Sequence, residues 1–276
     1  MTSIPSLPLN DGRTIPQVGF GIWEVDPNGA ADAVASAFET GYRLIDGAFI
    51  YGNEAGLGEG FRRSGLARDE VFITTKIWNR DQGRPAARAS VERSLEAMGL
   101  DYLDLVLIHW PYPMADLYLE TWEAMIEMRE IGLMRSIGVS NFNADHLERI
   151  VAATGVVPAL NQIEINPELQ QPAMRAVNAS HGIVTQSWTP LGNGRSFDSP
   201  VMKEIAARVG KSVAQVTLRW HIEIGHSVIP RSVKPARQAE NLDLFDFELT
   251  PEDMAAIETL NMGLRTGPDP SVFCIP

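Results

Sequence analysis

The sequence predicts an α/β fold, a TIM (β/α)8 barrel with a short β-hairpin before it and an extended tail after it. Apolar runs of four to seven residues alternate with amphipathic stretches of ten or more, as parallel strands do with their crossover helices. Eight such alternations fit within about 230 residues, the count and length of a TIM barrel. No Gly/Ser-rich or charged linker interrupts the chain, so residues 1–276 read as one domain. An open doubly wound sheet satisfies the same alternation, and pattern alone leaves it open.

The hairpin is expected over Leu7–Ile15, where the Asp11-Gly12 pair stands between short apolar segments. Its place would be the bottom of the barrel. The expected barrel strands are Val18–Gly21, Arg43–Asp46, Val71–Lys76, Leu103–His109, Arg135–Val139, Ala159–Ile163, Ile183–Ser187 and Ser227–Ile229. Several, such as Leu103–Ile108, are nearly continuous apolar runs, as strands covered on both faces should be.

Helical periodicity marks Asn28–Thr40, Glu54–Ser64, Pro85–Met98, Asp116–Ile131, Ala144–Thr154, Gln171–His181, Pro200–Val209, Val213–Ile224 and Pro235–Leu242. A last helix near Pro251–Leu260 has Thr250 as N-cap, Pro251 in its first turn and acidic residues beside it. Gly56-Leu-Gly58-Glu-Gly60 lies inside a helical pattern, and Phe61 occupies the place of the third glycine in a dinucleotide fingerprint. These glycines therefore read as helix packing. Three prolines and a glycine in Thr266–Pro276 predict an extended flap.

Composition excludes several classes of function. With 23 Lys+Arg against 35 Asp+Glu, the net charge of -12 repels nucleic acid and opposes an electrostatic membrane anchor. The start of the chain shows no basic and apolar leader pattern, and no apolar run reaches membrane-span length, so a cytoplasmic protein is expected. The single cysteine, Cys274, makes no internal disulfide. The histidines are scattered and no C-x-x-C or H-E-x-x-H pattern occurs, so no metal site is expected. Gly138-Val-Ser140-Asn-Phe lacks the second glycine of a nucleophile elbow, which counts against a serine hydrolase.

Chemistry concentrates where three consecutive strands stop, at Asp46 with Tyr51 in the following loop after four intervening residues, at Lys76, and at His109. The C-terminal ends of barrel strands are where active sites gather. A tyrosine with an ordinary pKa of about 10 is a poor acid near neutrality, and an adjacent ammonium lowers that value. Lys76 is placed to supply it, and Asp46 to keep the lysine charged. His109 is then free to orient a carbonyl. The four together suit protonation of a carbonyl oxygen if a hydride donor is present.

The stretches Gly41–Asp46, Tyr51–Glu54, Ile73–Trp78, Asp104–Pro111 and Ile137–Phe142 resemble, in order, the signatures of the aldo-keto reductase superfamily. Within it the resemblance is closest to bacterial 2,5-diketo-D-gluconic acid reductases, and it covers nearly the whole chain. It implies Tyr51 as general acid, Lys76 and Asp46 as the pair tuning it, and His109 as the carbonyl-orienting residue. It implies NADPH as cofactor. Ser140, Asn141 and Gln162 would hold its carboxamide, Trp188 would stack on its nicotinamide, and Leu191 and Gly192 would line the diphosphate.

Arg231-Ser-Val-Lys-Pro-Ala-Arg237 forms a basic cluster running into a helix N-terminus, where barrels hold phosphate. By resemblance, Arg231, Ser232 and Arg237 bind the 2′-phosphate, with Glu240 and Asn241 near the adenine. Trp23, Phe49, Ile50, Trp78, Trp110 and the tail around Val272–Phe273 are expected to rim the pocket for a small carbonyl substrate. Departures from the family pattern occur at Gly47, Phe49 and Thr189. The implied protein is a monomeric NADPH-dependent carbonyl reductase. A cofactor-binding barrel with a regulatory role and a phosphate-binding isomerase are the alternatives.

Overall fold

The computed structural model describes residues 4–276, so Met1–Ser3 of the stretch that shows no leader pattern lie outside the described residues. A hairpin of β1 (Ser6–Pro8) and β2 (Thr14–Pro16) precedes β3 (Phe20–Gly21), α1 (Ala30–Thr40), β4 (Leu44–Asp46), α2 (Glu54–Ser64), β5 (Phe72–Ile77) and α3 (Arg84–Met98). There follow β6 (Leu103–Ile108), α4 (Tyr118–Glu130), β7 (Met134–Ser140), α5 (Ala144–Thr154), β8 (Leu160–Glu164), α6 (Pro172–Ser180) and β9 (Val184–Trp188). The chain ends with α7 (Pro200–Val209), α8 (Val213–Glu223), β10 (Ser227–Val228), α9 (Pro235–Leu242), α10 (Pro251–Glu258) and the tail.

Strands β3 to β10 pair in parallel, each with its neighbour in sequence. The ring closes through a bridge between Val18 and Val228, with Gly19 N–H donating to Val228 O at 2.8 Å. The first and last barrel strands are shorter than expected because their pairing to each other is a bridge and not a ladder. Strand β7 runs one residue further at each end than expected, reaching Met134 and Ser140.

Alternation within strands sorts the core into two layers. Leu44, Leu105, Leu107 and Leu160 pack inside the barrel with Leu9 and Ile15 of the hairpin. Their neighbours Ile45, Val106 and Ile108 pack outward among the helices. The hairpin covers the bottom as expected, and Ser136 Oγ donates to Asp11 Oδ2 at 2.6 Å to fix it there. Functional side chains are thereby left to the opposite end. No helix among the described residues is long and apolar enough to cross a membrane.

The three glycines of α2 are contact surfaces. A Cβ on Gly56 would lie 2.6 Å from Ala30 Cβ, one on Gly60 2.7 Å from Val34 Cβ, and one on Gly58 2.1 Å from the Met98 carbonyl oxygen. The last obstacle is backbone and does not yield. Gly58→Ala is therefore expected to cost about 1–3 kcal/mol, seen as a lower urea midpoint at unchanged slope.

Candidate active site

The strand ends place Asp46, Lys76 and His109 side by side around the barrel mouth, and a short 3-10 turn at Phe49–Tyr51 brings Tyr51 back over them. Lys76 is 1% exposed, so its ammonium cannot rely on water. Its Nζ lies 2.5 Å from Asp46 Oδ1 and donates to Gly47 O at 2.8 Å. The second Asp46 oxygen accepts from Gln162 Nε2 at 2.8 Å. Burial alone would strip the lysine of its proton. Asp46 and Tyr51 outweigh it, and the Lys76 pKa lies above its ordinary value.

Tyr51 stands over that pair, with the Lys76 ammonium 5.3 Å from its ring centroid. Its pKa departs from the simple expectation. Burial pushes it up, the Lys76 charge pulls it down, and burial prevails, so the phenol is a weaker acid than free tyrosine. Although half-buried by surface, Tyr51 is packed on the sides that do not face the cavity. His109 meets its ring edge-on at 5.8 Å and that of Trp78 at 5.0 Å. Burial, then the Lys76 charge, holds the His109 pKa well below 6.5, so the imidazole is neutral.

These groups open onto a cavity of about 850 Å³. Asp46, Tyr51 and His109 line it, with Lys76 behind, and so do Ser140, Asn141, Gln162, Trp188, Leu191 and Arg231. Asn141, in a left-handed backbone at φ 62°, donates through Nδ2 to His109 O at 3.0 Å and accepts from Trp188 Nε1 at 2.9 Å. Ser140 Oγ donates to Gln162 O at 2.9 Å. Thr189, beside Trp188, also has positive φ, 46°, where a β-branched side chain is strained by about 1–3 kcal/mol.

The tail crosses the mouth as a strap. At its root, buried Glu164 accepts from the N–H groups of Thr266 at 2.6 Å and Gly267 at 3.1 Å, and from the Thr266 hydroxyl. A Cβ on Gly267 would lie 2.4 Å from the Trp188 ring. At the far end Trp78 Nε1 donates to Pro276 O at 3.0 Å and Asn79 Nδ2 to Ile275 O at 2.7 Å. Phe273 packs against Trp110 with centroids 4.3 Å apart.

Of the expected rim, Trp23, Ile50, Trp78, Trp110 and Phe273 line the cavity. Val272 is not among the lining residues and stands exposed. Phe49 is not among them either; its ring lies under the Arg93 guanidinium at 4.9 Å, because the 3-10 turn gives consecutive residues different directions. Gly192 lies just behind the lining, at φ 56°.

Arg231 is held by Glu24, at 3.0 Å, and by Trp23 O, at 3.0 Å. Ser232, Arg237, Glu240 and Asn241 sit beyond the cavity wall at and along α9. Arg237 is exposed and forms no ion pair among the described residues. Glu240 accepts from Ser212 Oγ at 2.6 Å, and Asn241 is buried. Sequence reasoning missed Glu24, Asn193, Phe197 and Pro268 on the wall, and Glu164 beneath the tail. The Gly192-Asn193-Gly194 run, left-handed at all three residues, was the available signal for Asn193 and Phe197.

The family model for the aldo/keto reductase family matches residues 17–262. The chain belongs to the aldo/keto reductase family. It is similar to an aldo-keto reductase of Mycobacterium sp. (strain KMS), 48% identical over 269 residues covering 98% of each chain. It is 47% identical to the methylglyoxal reductase DkgA of Yersinia pestis over 275 residues, 99% of each. Among solved structures, a Gox0644 mutant in complex with NADPH superposes with a TM-score of 0.95 at 44% identity, covering 98% of this chain and 99% of that one. This aldo/keto reductase thus has the barrel and chain length of those relatives.

The Glu164 clasp has a direct consequence. Buried at 0% exposure, its carboxylate is met by tail N–H and O–H groups. Glu164→Ala removes every acceptor at once. Trypsin cleavage after Arg265 and amide exchange at Thr266 and Gly267 should each rise about tenfold or more.

Proposed function

We propose that the protein is an NADPH-dependent carbonyl reductase that converts aldehydes and ketones, keto-sugars and keto-acids among them, into alcohols with Tyr51 as general acid. The observation that carries this is the Tyr51 phenol above a buried, ion-paired Lys76 and beside a neutral His109, all at one end of a cavity. The NADPH complex of the Gox0644 relative and the methylglyoxal reductase name of the DkgA relative support the cofactor and the carbonyl chemistry. Small 2-oxoaldehydes therefore belong in the first substrate panel.

The residues present fit a nicotinamide dinucleotide. Gln162 has both Nε2 protons engaged inside the protein, while its Oε1 accepts no bond among the described residues and can take a carboxamide N–H. Trp188 offers an aromatic face, and Gly192 to Gly194, all left-handed, form a loop after Leu191 suited to a diphosphate. Arg237, near the start of α9, offers a phosphate a cation that forms no ion pair among the described residues. When bound, NADPH supplies a hydride to the carbonyl carbon.

The protein's own groups do the rest. Neutral His109 donates a hydrogen bond that points the carbonyl oxygen toward Tyr51. Tyr51 gives its proton to that oxygen as negative charge develops there. The Lys76 ammonium stabilises the phenolate left behind, and Asp46 keeps Lys76 charged. Trp78, Trp110 and Phe273 screen the site from water.

Tyr51→Phe should abolish reduction while NADPH still quenches tryptophan fluorescence; near-normal turnover in that variant would remove Tyr51 from the mechanism. Arg237→Ala should weaken NADPH about tenfold or more and leave NADH nearly unchanged; equal losses refute the 2′-phosphate assignment. The pH dependence follows from the shifts. The Tyr51 proton is present below its raised pKa and lost above it, so reduction should stay level through neutrality and decline only above about pH 10. No inflection is expected near 6.5, because His109 is already neutral there.

A further inference from the structure

Inside the barrel, one layer below the cavity, a chain of polar side chains runs away from Asp46. Gln162 Nε2 donates both to Asp46 Oδ2, at 2.8 Å, and to Gln186 Oε1, at 2.7 Å. Gln186 Nε2 donates to Ser227 Oγ at 3.0 Å, and the Ser227 hydroxyl donates to the carbonyl of Pro16 at 3.2 Å. The register places Gln162 opposite Gln186 and Gln186 opposite Ser227 on three adjacent strands, so all three point to the same face. Gln186 and Ser227 are fully buried.

The direction of this chain is forced from both ends. Pro16 O can only accept, so the Ser227 hydroxyl must point at it and present its oxygen to Gln186. Gln186 must then offer N–H to Ser227 and oxygen to Gln162. Gln162 must therefore present its NH2, which is what a carboxylate needs, and its own oxygen is left facing the cavity. A flipped Gln162 would set one acceptor against another at Asp46. Packing alone does not call for these residues, since the neighbouring interior layer is filled by Leu44, Leu105, Leu107 and Leu160. Polar groups at such depth are costly unless each is satisfied.

We propose that Gln186 and Ser227 are positioning residues for proton transfer at Tyr51, acting through the orientation of Gln162 and the second oxygen of Asp46. The inference rests on the reading of Tyr51 as the acid. The titratable groups facing Tyr51 are Lys76, Asp46 and His109, and Glu54, held by Thr75 at 2.5 Å, feels the Lys76 charge. When the Gln162 N–H no longer faces Asp46, more of the carboxylate's negative field reaches Tyr51, and its phenolate becomes less stable.

The test uses the full chain with Gln186→Met, close in shape but with only a weakly accepting sulfur to offer Gln162 and no donor for Ser227. Reduction kcat should fall about tenfold, and the tyrosine-dependent limb should move up by about one pH unit. The same limb is read as the rise of alcohol oxidation with pH, which needs the phenolate. Gln186→Glu is the rescue. Buried and protonated, it accepts from Gln162 and donates to Ser227 as glutamine does, and should return most of the rate and the original limb. Should Gln186→Met fail to fold, Ser227→Ala removes the next link and should shift the limb the same way by a smaller amount.

A pH profile of a folded Gln186→Met or Ser227→Ala protein that superposes on wild type overturns the proposal. So does a Gln186→Glu variant no better than Gln186→Met. The Tyr51 Cζ resonance, assigned with labelled tyrosine and the Tyr51→Phe protein, supplies a readout that needs no turnover. Its titration should begin at higher pH in Gln186→Met, and an unmoved titration defeats the inference. If wild type binds NADPH yet reduces no carbonyl, the reductase reading fails, while this resonance still decides the positional role.

Discussion

A lysine and an aspartate with almost no exposed surface, 2.5 Å apart at the mouth of the barrel, set the conditions for everything around them. An unpaired ammonium at that depth would lose its proton, and an unpaired carboxylate would gain one. Lys76 keeps its charge because Asp46 is there, and Gly47 O and Gln162 Nε2 add further hydrogen bonds to the pair. Such a pair contributes little to net stability, since desolvation offsets its attraction. Its value lies in holding a positive charge beneath Tyr51 in a place from which water is kept out.

The barrel is the frame that makes the pair possible. Adjacent parallel strands hold Asp46 and Lys76 in neighbouring positions, and the leucine layer and hairpin seal the floor below them. Burial then has opposite consequences for two neighbours. It keeps the Tyr51 proton on and the His109 proton off across the neutral range.

Much of this was legible in the residues. The alternation of apolar runs and amphipathic stretches located every barrel strand to within a few residues, because a strand covered on both faces leaves a clear hydrophobic record. Asp46, Lys76 and His109 were visible as ionisable groups at the ends of such runs. What escaped depends on contacts between distant parts of the chain. The direction of Phe49 is set by one short turn and by Arg93 on α3. Arg231 meets Glu24 only because the barrel closes, and Glu164 meets the tail only because the chain returns across the mouth. The balance at Tyr51 was misjudged for the same reason: charge neighbours can be listed from sequence, but burial belongs to the assembled structure.

If a nicotinamide binds at Trp188 and Asn141 as proposed, the bond between those two gives its capture the character of an exchange. The indole N–H holds the amide oxygen that a carboxamide would seek, and Gly267 rests against the same indole. An arriving ring must therefore compete with an internal ligand already in place, and part of its intrinsic affinity offsets that displacement. In return, the Asn141 amide oxygen stays paired whenever the ring is absent and does not turn onto another part of the cavity, so that side of the site is preserved between turnovers.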